Sequence, residues 1–148
     1  MTSQLDFTAR KIAILGGGPG GYEAALVAAS LGADVTIVER QGLGGSAVLT
    51  DVVPSKTLIA TADVMTRLTA ARNLGVEFGD VESPAFANLK VVNHRLLALA
   101  KEQSNDIRTT LERVGVKVKI GNGRLLDNTT IEVTAADGTV KRLRPRPC

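Results

Sequence analysis

Apolar positions change their period along the chain, and the changes mark out the elements. Ile12-Ala13-Ile14-Leu15 is a short continuous apolar run, the form taken by a strand covered on both faces. In the alanine-rich stretch that follows, Gly21, Ala25, Ala28 and Ala29 fall on one helical face, so the helix can lie close on a sheet. Gly32 supplies a left-handed stop. Val35-Thr36-Ile37-Val38 reads as a second strand, ending on the acid Glu39. From about Ala47 to Ala71 the period is helical, through Leu58, Ala62, Met65 and Leu68, and Pro54 predicts a kink or an internal start. Residues 72–88, with Gly75, Gly79 and Pro84, show little periodicity and read as an exposed loop. Asn88–Val114 is a long amphipathic helix, with Val92, Leu96, Leu99, Ile107 and Leu111 recurring and Gly115 as the stop. Val116–Ile120 alternates as a strand does. Thr130–Thr134 and Thr139–Leu143 are two further short strands, joined by a hairpin through Ala136-Asp137-Gly138.

The glycines between the first strand and the first helix carry the candidate chemistry. Gly16, Gly18 and Gly21 fit G-x-G-x-x-G, with Pro19 and Gly20 inside the turn. Gly16 permits the tight turn, Gly18 lets the backbone approach a pyrophosphate, and Gly21 lets the helix press on the sheet. The helix N-terminus then offers free N–H groups and the positive end of its dipole. Glu39 is placed to accept hydrogen bonds from a ribose, followed by Arg40. The alternative is an ordinary strand–loop–helix turn with a solvated acid, but strand, glycines, helix, second strand and terminal acid all occur in order. A second glycine-rich turn, Gln41–Ser46, follows; Ser46 could serve it or cap the next helix.

Composition narrows the class. A chain of 148 residues with 44% hydrophobic content is enough for one globular domain. Only 3% is aromatic, which leaves little for stacking on bases. The formal net charge is +3, but Lys141, Arg142, Arg144 and Arg146 supply four positive charges, leaving −1 elsewhere. No basic face is expected beyond the last few residues, and no nucleic-acid partner. The single cysteine, Cys148, allows no internal disulfide, and neither a signal peptide nor a membrane span is read, so the expected location is cytoplasmic. No metal ligands are assigned. His94 reads as a surface residue.

The order GGGPGG, VER, GLGGS and VPSK, then a long helix, a strand, Gly121-Asn122-Gly123 and a small β-meander, resembles the FAD domain of the flavoprotein disulfide reductases. That family includes dihydrolipoamide dehydrogenase, glutathione reductase and mercuric reductase. The resemblance runs from about Lys11 to Leu143 and implies an α/β fold, an incomplete Rossmann-like FAD-binding domain with a parallel sheet, helices and a β-meander. It implies that the first glycine motif holds the FAD pyrophosphate and that Glu39 holds the adenosine ribose. Gly45 and Ser46 would lie along the pyrophosphate and ribityl chain, and Asn122 and Gly123 beside the adenine. Lys56, in Pro-Ser-Lys, matches a lysine near flavin N5, although on its own a lysine there is usually solvated.

The chain departs from that family at one decisive place. The family motif Gly-Gly-Thr-Cys-x4-Cys-x-Pro-Ser-Lys puts its two cysteines at Ala47 and Val52. Thiol–disulfide exchange needs an attacking thiolate and a resolving thiol, and these side chains are neither. Dithiol substrates are therefore excluded, and no catalytic residue is assigned. Members lacking the pair share Gly-Gly-x-Ala-Val-Leu and Val-Pro-Ser-Lys and are similar to this chain; they are NAD(P)H:quinone reductases. The resemblance implies a homodimeric parent that uses NAD(P)H and passes electrons to a quinone. The second glycine motif, for the nicotinamide cofactor, is absent. The chain accordingly reads as a truncated amino-terminal piece: a disordered lead over 1–10, an FAD-binding part over 11–143 and an irregular tail over 144–148. Such a piece is expected to be inactive alone, and either a nucleotide-binding module without turnover or a non-functional product.

Overall fold

The computed structural model describes residues 10–77 and 86–144. Three parallel strands form one sheet: β1 (Lys11–Leu15), β2 (Asp34–Glu39) and β3 (Lys117–Ile120), in the order β1-β2-β3. Ile12 pairs with Val35, and Ile37 with Val118. Between β1 and β2 runs α1 (Pro19–Ser30). Between β2 and β3 run a π-helical turn (Ala47–Asp51), α2 (Val52–Asn73) and α3 (Leu89–Arg113). An antiparallel sheet follows, β4 (Asn122–Asp127), β5 (Thr130–Thr134) and β6 (Val140–Leu143), in that order.

Strand alternation separates two cores on the two faces of the parallel sheet. Val35 and Ile37 turn to one face and are buried with Ala25 of α1 and Leu111 of α3. Val38 turns to the other face and packs with Ile131 and Val133 of β5, Ala13 and Leu143. The parallel sheet is thus covered by helices on one side and by the antiparallel sheet on the other. Glycine allows the second cover to come close: a Cβ on Gly123 would stand 2.6 Å from Leu15 and 2.9 Å from Val38. The antiparallel sheet is laced by Glu132, which accepts from Arg124 Nε and Nη2 at 2.9 and 2.7 Å and faces Arg142 at 3.8 Å.

Helix ends follow their sequence signals. α1 closes with Gly32 at φ 88°, while Gly32 N–H donates to Ala29 O and Ala33 N–H to Ala28 O. α3 opens on Asn88, whose Oδ1 accepts from Lys90 N and Val91 N at 3.1 and 3.2 Å, and closes before Gly115 at φ 85°. Replacing Asn88 by Ala leaves those donors to water and is expected to cost about 1 kcal/mol, read as a lower thermal midpoint.

Some expectations are narrowed by the structure and others corrected. The first strand is covered on both faces, Ile12 and Ile14 against the helices and Ala13 against β5, but it pairs only with β2 among the described residues and its ends Lys11 and Leu15 are exposed. Pro54 marks an internal start, since α2 begins at Val52 with Pro54 in its first turn. Proline has no N–H for a carbonyl four residues back, and the ladder widens just before it, with Val52 N–H donating to Ala47 O. The helix then runs two residues past Ala71, to Asn73, and none of its residues is buried. The stretch beyond it is described only at its ends, and the expected loop positions Gly79 and Pro84 lie outside the described residues. The third antiparallel strand, β4, was not expected from the pattern. Arg10, counted with the lead, accepts from Asp34 N at 2.9 Å, whereas residues 1–9 and 145–148 lie outside the described residues. Positive charge is not confined to the tail either: Lys11, Lys117 and Lys119 gather with Arg142 and Arg144 around one cleft.

Candidate functional site

The site is built where β1 and β2 end. Gly16 leaves β1 at φ 96° and its N–H donates to Val38 O at 2.8 Å, which folds the chain back over the sheet tip. Gly18 is the extended N-cap of α1, at φ −67° and ψ −178°, and Pro19 takes the first helical position, where its missing N–H costs nothing. A Cβ on Gly21 would run into the Gly16 carbonyl oxygen, so the helix lies on the turn only because that residue has no side chain. Gly18 and Gly20, by contrast, face open space: nothing lies within 4 Å of a Cβ at either. The glycine motif therefore divides into residues that bring backbone together and residues that leave room.

Glu39 is tied to this turn. Its Oε2 accepts from Gly17 N at 2.7 Å, and its Oε1 from Gln41 N at 2.7 Å and Gly42 N at 3.4 Å. Burial works to raise its pKa, but the N–H groups of Gln41, Gly17, Gly42 and Arg40 outweigh it and hold the carboxyl below its ordinary value of 4.5. A carboxylate oxygen accepts about two hydrogen bonds, so Oε2 keeps one acceptor position beside Gly17. The second glycine turn docks on the first through Gly44 N–H to Gly17 O at 2.7 Å, and a Cβ on Gly45 would come within 3.0 Å of Gly18 Cα.

A cleft of about 320 Å³ opens beside this construction, lined by Gly16, Glu39, Arg40, Asn122 and Gly123 together with Leu15, Val38 and Gly121. Residues from three separated stretches of sequence thus line one cleft. Gly18, Pro19, Gly20, Gly21 and Gly45 belong to the turns and helix start and do not line this cleft, and neither do Ser46 and Lys56. Ser46 is exposed, already helical at φ −59° and ψ −34°, and its side chain makes no cap bond, so the capping role does not hold. Lys56 stands exposed on α2, with no ion pair among the described residues. Ala47 and Val52, the positions matched to the cysteine pair, sit at the two ends of the π turn.

Two residues of the site escaped the sequence reading. Gly17 occupies an unspecified position of the motif, yet it is buried, donates to Glu39 and accepts from Gly44; a Cβ there would stand 2.5 Å from Leu43 and 3.1 Å from Glu39 Cβ. Gly121 is buried, donates to Glu39 O at 2.8 Å, and has no room for a side chain beside Thr134 O. The unbroken run Gly16-Gly17-Gly18 was the available signal for the first.

Comparison with known proteins agrees with this architecture. The family model described as pyridine nucleotide-disulphide oxidoreductase matches residues 10–143. An NAD(P)H dehydrogenase (quinone) of Mycobacterium tuberculosis is 44% identical over 140 residues, covering 87% of this chain and 28% of the relative. A dihydrolipoyl dehydrogenase of Chlorobaculum tepidum is 33% identical over 132 residues, covering 89% of this chain and 27% of the relative. The crystal structure of LpdA from Mycobacterium tuberculosis superposes with a TM-score of 0.80 at 42% identity, over 91% of this chain and 30% of that one. The chain spans less than a third of the length of each of these relatives. With the family model matched over nearly its whole length, the chain belongs to the pyridine nucleotide-disulphide oxidoreductase family.

Proposed function

We propose that the chain is the FAD-holding amino-terminal part of an NAD(P)H:quinone oxidoreductase that does no dithiol chemistry. The observation carrying this reading is the meeting of Gly16, at the start of the glycine turn, with Glu39 and Asn122-Gly123 in one cleft, and alanine and valine flanking the π turn. The residues fit the group: Gly18 and Gly20 leave space over the N-terminus of α1, and Glu39 Oε2 keeps an acceptor position for a ribose hydroxyl. Gly16, Gly18, Pro19, Gly20 and Gly21 would form the pyrophosphate turn, with Gly45 and Ser46 beside it. Arg40, Asn122 and Gly123 would border the adenosine. When bound, FAD supplies a two-electron carrier between a nicotinamide and a quinone. Lys56 would place a cation on the flavin side, while the methyl groups of Ala47 and Val52 offer no sulfur for a disulfide step. The 44% identity to a quinone dehydrogenase favours the quinone branch as the parent, in which NAD(P)H is the reductant and the assembly a homodimer.

A second reading, a nucleotide-holding module without turnover, is favoured by the cleft itself, whose assigned residues all serve the ADP half of FAD. Reconstitution separates the two. The chain incubated with FAD and desalted should retain the visible flavin spectrum. Anaerobic bleaching by NADH or NADPH, with colour restored by a quinone and not by lipoamide, supports the enzyme; persistent colour restricts this chain to holding the cofactor; a colourless chain overturns both.

Gly18→Asp tests the turn without disturbing the fold. Aspartate is a good N-cap at this extended backbone and meets no neighbour, so the thermal midpoint should hold or rise. Its carboxylate stands where the pyrophosphate belongs, so FAD and ADP affinity should fall at least about tenfold. Equal affinity in a titration would remove the turn from the site.

A further inference from the structure

On the face of the parallel sheet turned away from the helices, the two outer strands, β1 and β3, carry lysines on either side of β2. Lys11, Lys117 and Lys119 alternate with Ile12 and Val118, which pack on the helix side, so the three lysines belong to the opposite face. Lys11 begins β1 at the end remote from Gly16, while Lys117 lies level with Thr36 and Lys119 level with Val38. β6 and the residue after it bring Arg142 and Arg144 to the same place, around a cleft of about 260 Å³. Asp34 is the one carboxylate lining it, bonded to Lys117 Nζ at 2.7 Å. Lys11, Lys119 and Arg144 have no ion pair among the described residues. Arg142 has only the 3.8 Å approach to Glu132, whose shorter bonds go to Arg124. Five cations therefore surround one acid in a concavity between two layers, an arrangement that focuses positive potential.

We propose that this cleft is a second anion site, separate from the glycine turn, for a multiply charged phosphate group of the pyrophosphate class. A ligand of that class brings enough charge to offset the unpaired lysines and is small enough for the cleft. With aromatic residues at 3% of the chain, nothing here offers base stacking. The competing explanation is that inward-pointing lysines on β1 and β3 guard sheet edges against pairing with another chain. That explanation requires no ligand.

The test is a titration of the isotopically labelled full chain with sodium pyrophosphate at low ionic strength, followed by backbone amide shifts. Saturable shifts at Lys11, Lys117 and Lys119 are expected, weakened about tenfold in the Lys11→Gln/Lys119→Gln variant. Both substitutions are on exposed side chains, and circular dichroism checks the fold. The same shifts should persist in Gly18→Asp, which makes this site independent of the flavin reading. Vesicles of phosphatidylcholine with phosphatidic acid distinguish the source: cosedimentation lost in the lysine variant assigns a lipid phosphate, and none, with pyrophosphate shifts intact, assigns a soluble anion. Shifts confined to the glycine turn, or reproduced by sodium chloride at equal ionic strength, overturn the proposal and leave the lysines as edge guards.

Discussion

Gly21→Ala is expected to lose about 3 kcal/mol of stability, because its methyl group meets backbone that cannot give way. The obstacle is the Gly16 carbonyl oxygen, with Ile14 Cγ2 at 3.6 Å behind it. Gly16 is itself fixed by its bond to Val38 O and its positive φ, so relief means lifting α1 off the sheet. That movement would expose Ala25, now fully buried, and part of the core around Val35 and Ile37. For a domain of this size the loss corresponds to a thermal midpoint lower by about 10 °C. The neighbouring Gly20→Ala is the control: it lies in the same helix, faces open space, and should gain about 0.5–1 kcal/mol from helix propensity. Two identical changes one residue apart should thus act with opposite sign in thermal melts. A neutral Gly21→Ala would mean that helix and turn are not in contact.

Glu39→Gln should remove about 2 kcal/mol and weaken nucleotide binding together. The amide keeps one acceptor and turns the other into a donor, which then faces either Gly17 N–H or Gln41 N–H. Gly17 is buried, so an unmet N–H there is not recovered by water. The pH dependence gives an independent reading. The folded-state carboxyl lies below its unfolded value of 4.5, so its contribution is full above that value and is lost as pH falls through the lower folded value. Stability of the parent chain should therefore decline more steeply below about pH 4.5 than that of Glu39→Gln, in melts from pH 7 to pH 3. Parallel curves would mean that Glu39 is not held by those N–H groups.

What was legible in the sequence was whatever has a local cause. The first helix, its glycine stop, and the long third helix with its stop at Gly115 could be read because each depends on neighbours a turn away. The β-α-β unit and Glu39 could be read because spacing alone brings the acid back to the glycines. The misses are tertiary. β1 has the apolar run of a central strand and packs on both faces, but full burial depends also on what pairs with its two edges, and only β2 does so among the described residues. β4 carries Arg124 and a register break between Leu125 and Asp127, and its alternation is invisible until Glu132 is seen across from Arg124. Gly17 looked like filler because its role is to let Leu43 and Glu39 approach, contacts that no window around residue 17 contains. Charge counting placed the positive residues in the tail; folding collects lysines from both ends of the chain on one sheet face.

The relatives sharpen one further point. A dihydrolipoyl dehydrogenase and a quinone dehydrogenase both match, at 33% and 44% identity, while Ala47 and Val52 here carry no sulfur with which to exchange a disulfide. The π turn lies between them, immediately before the helix that holds Pro54 in its first turn.

The claim on which the account depends is that the glycine turn, Glu39 and Asn122-Gly123 form one nucleotide site. The most direct measurement is an ADP titration of the labelled chain read at backbone amides. Saturable shifts at Gly16, Gly17, Gly18, Glu39, Arg40, Asn122 and Gly123 with a single dissociation constant are the expected result. Shifts that omit either the glycine turn or Asn122-Gly123, or a chain that ADP leaves unchanged, would contradict it.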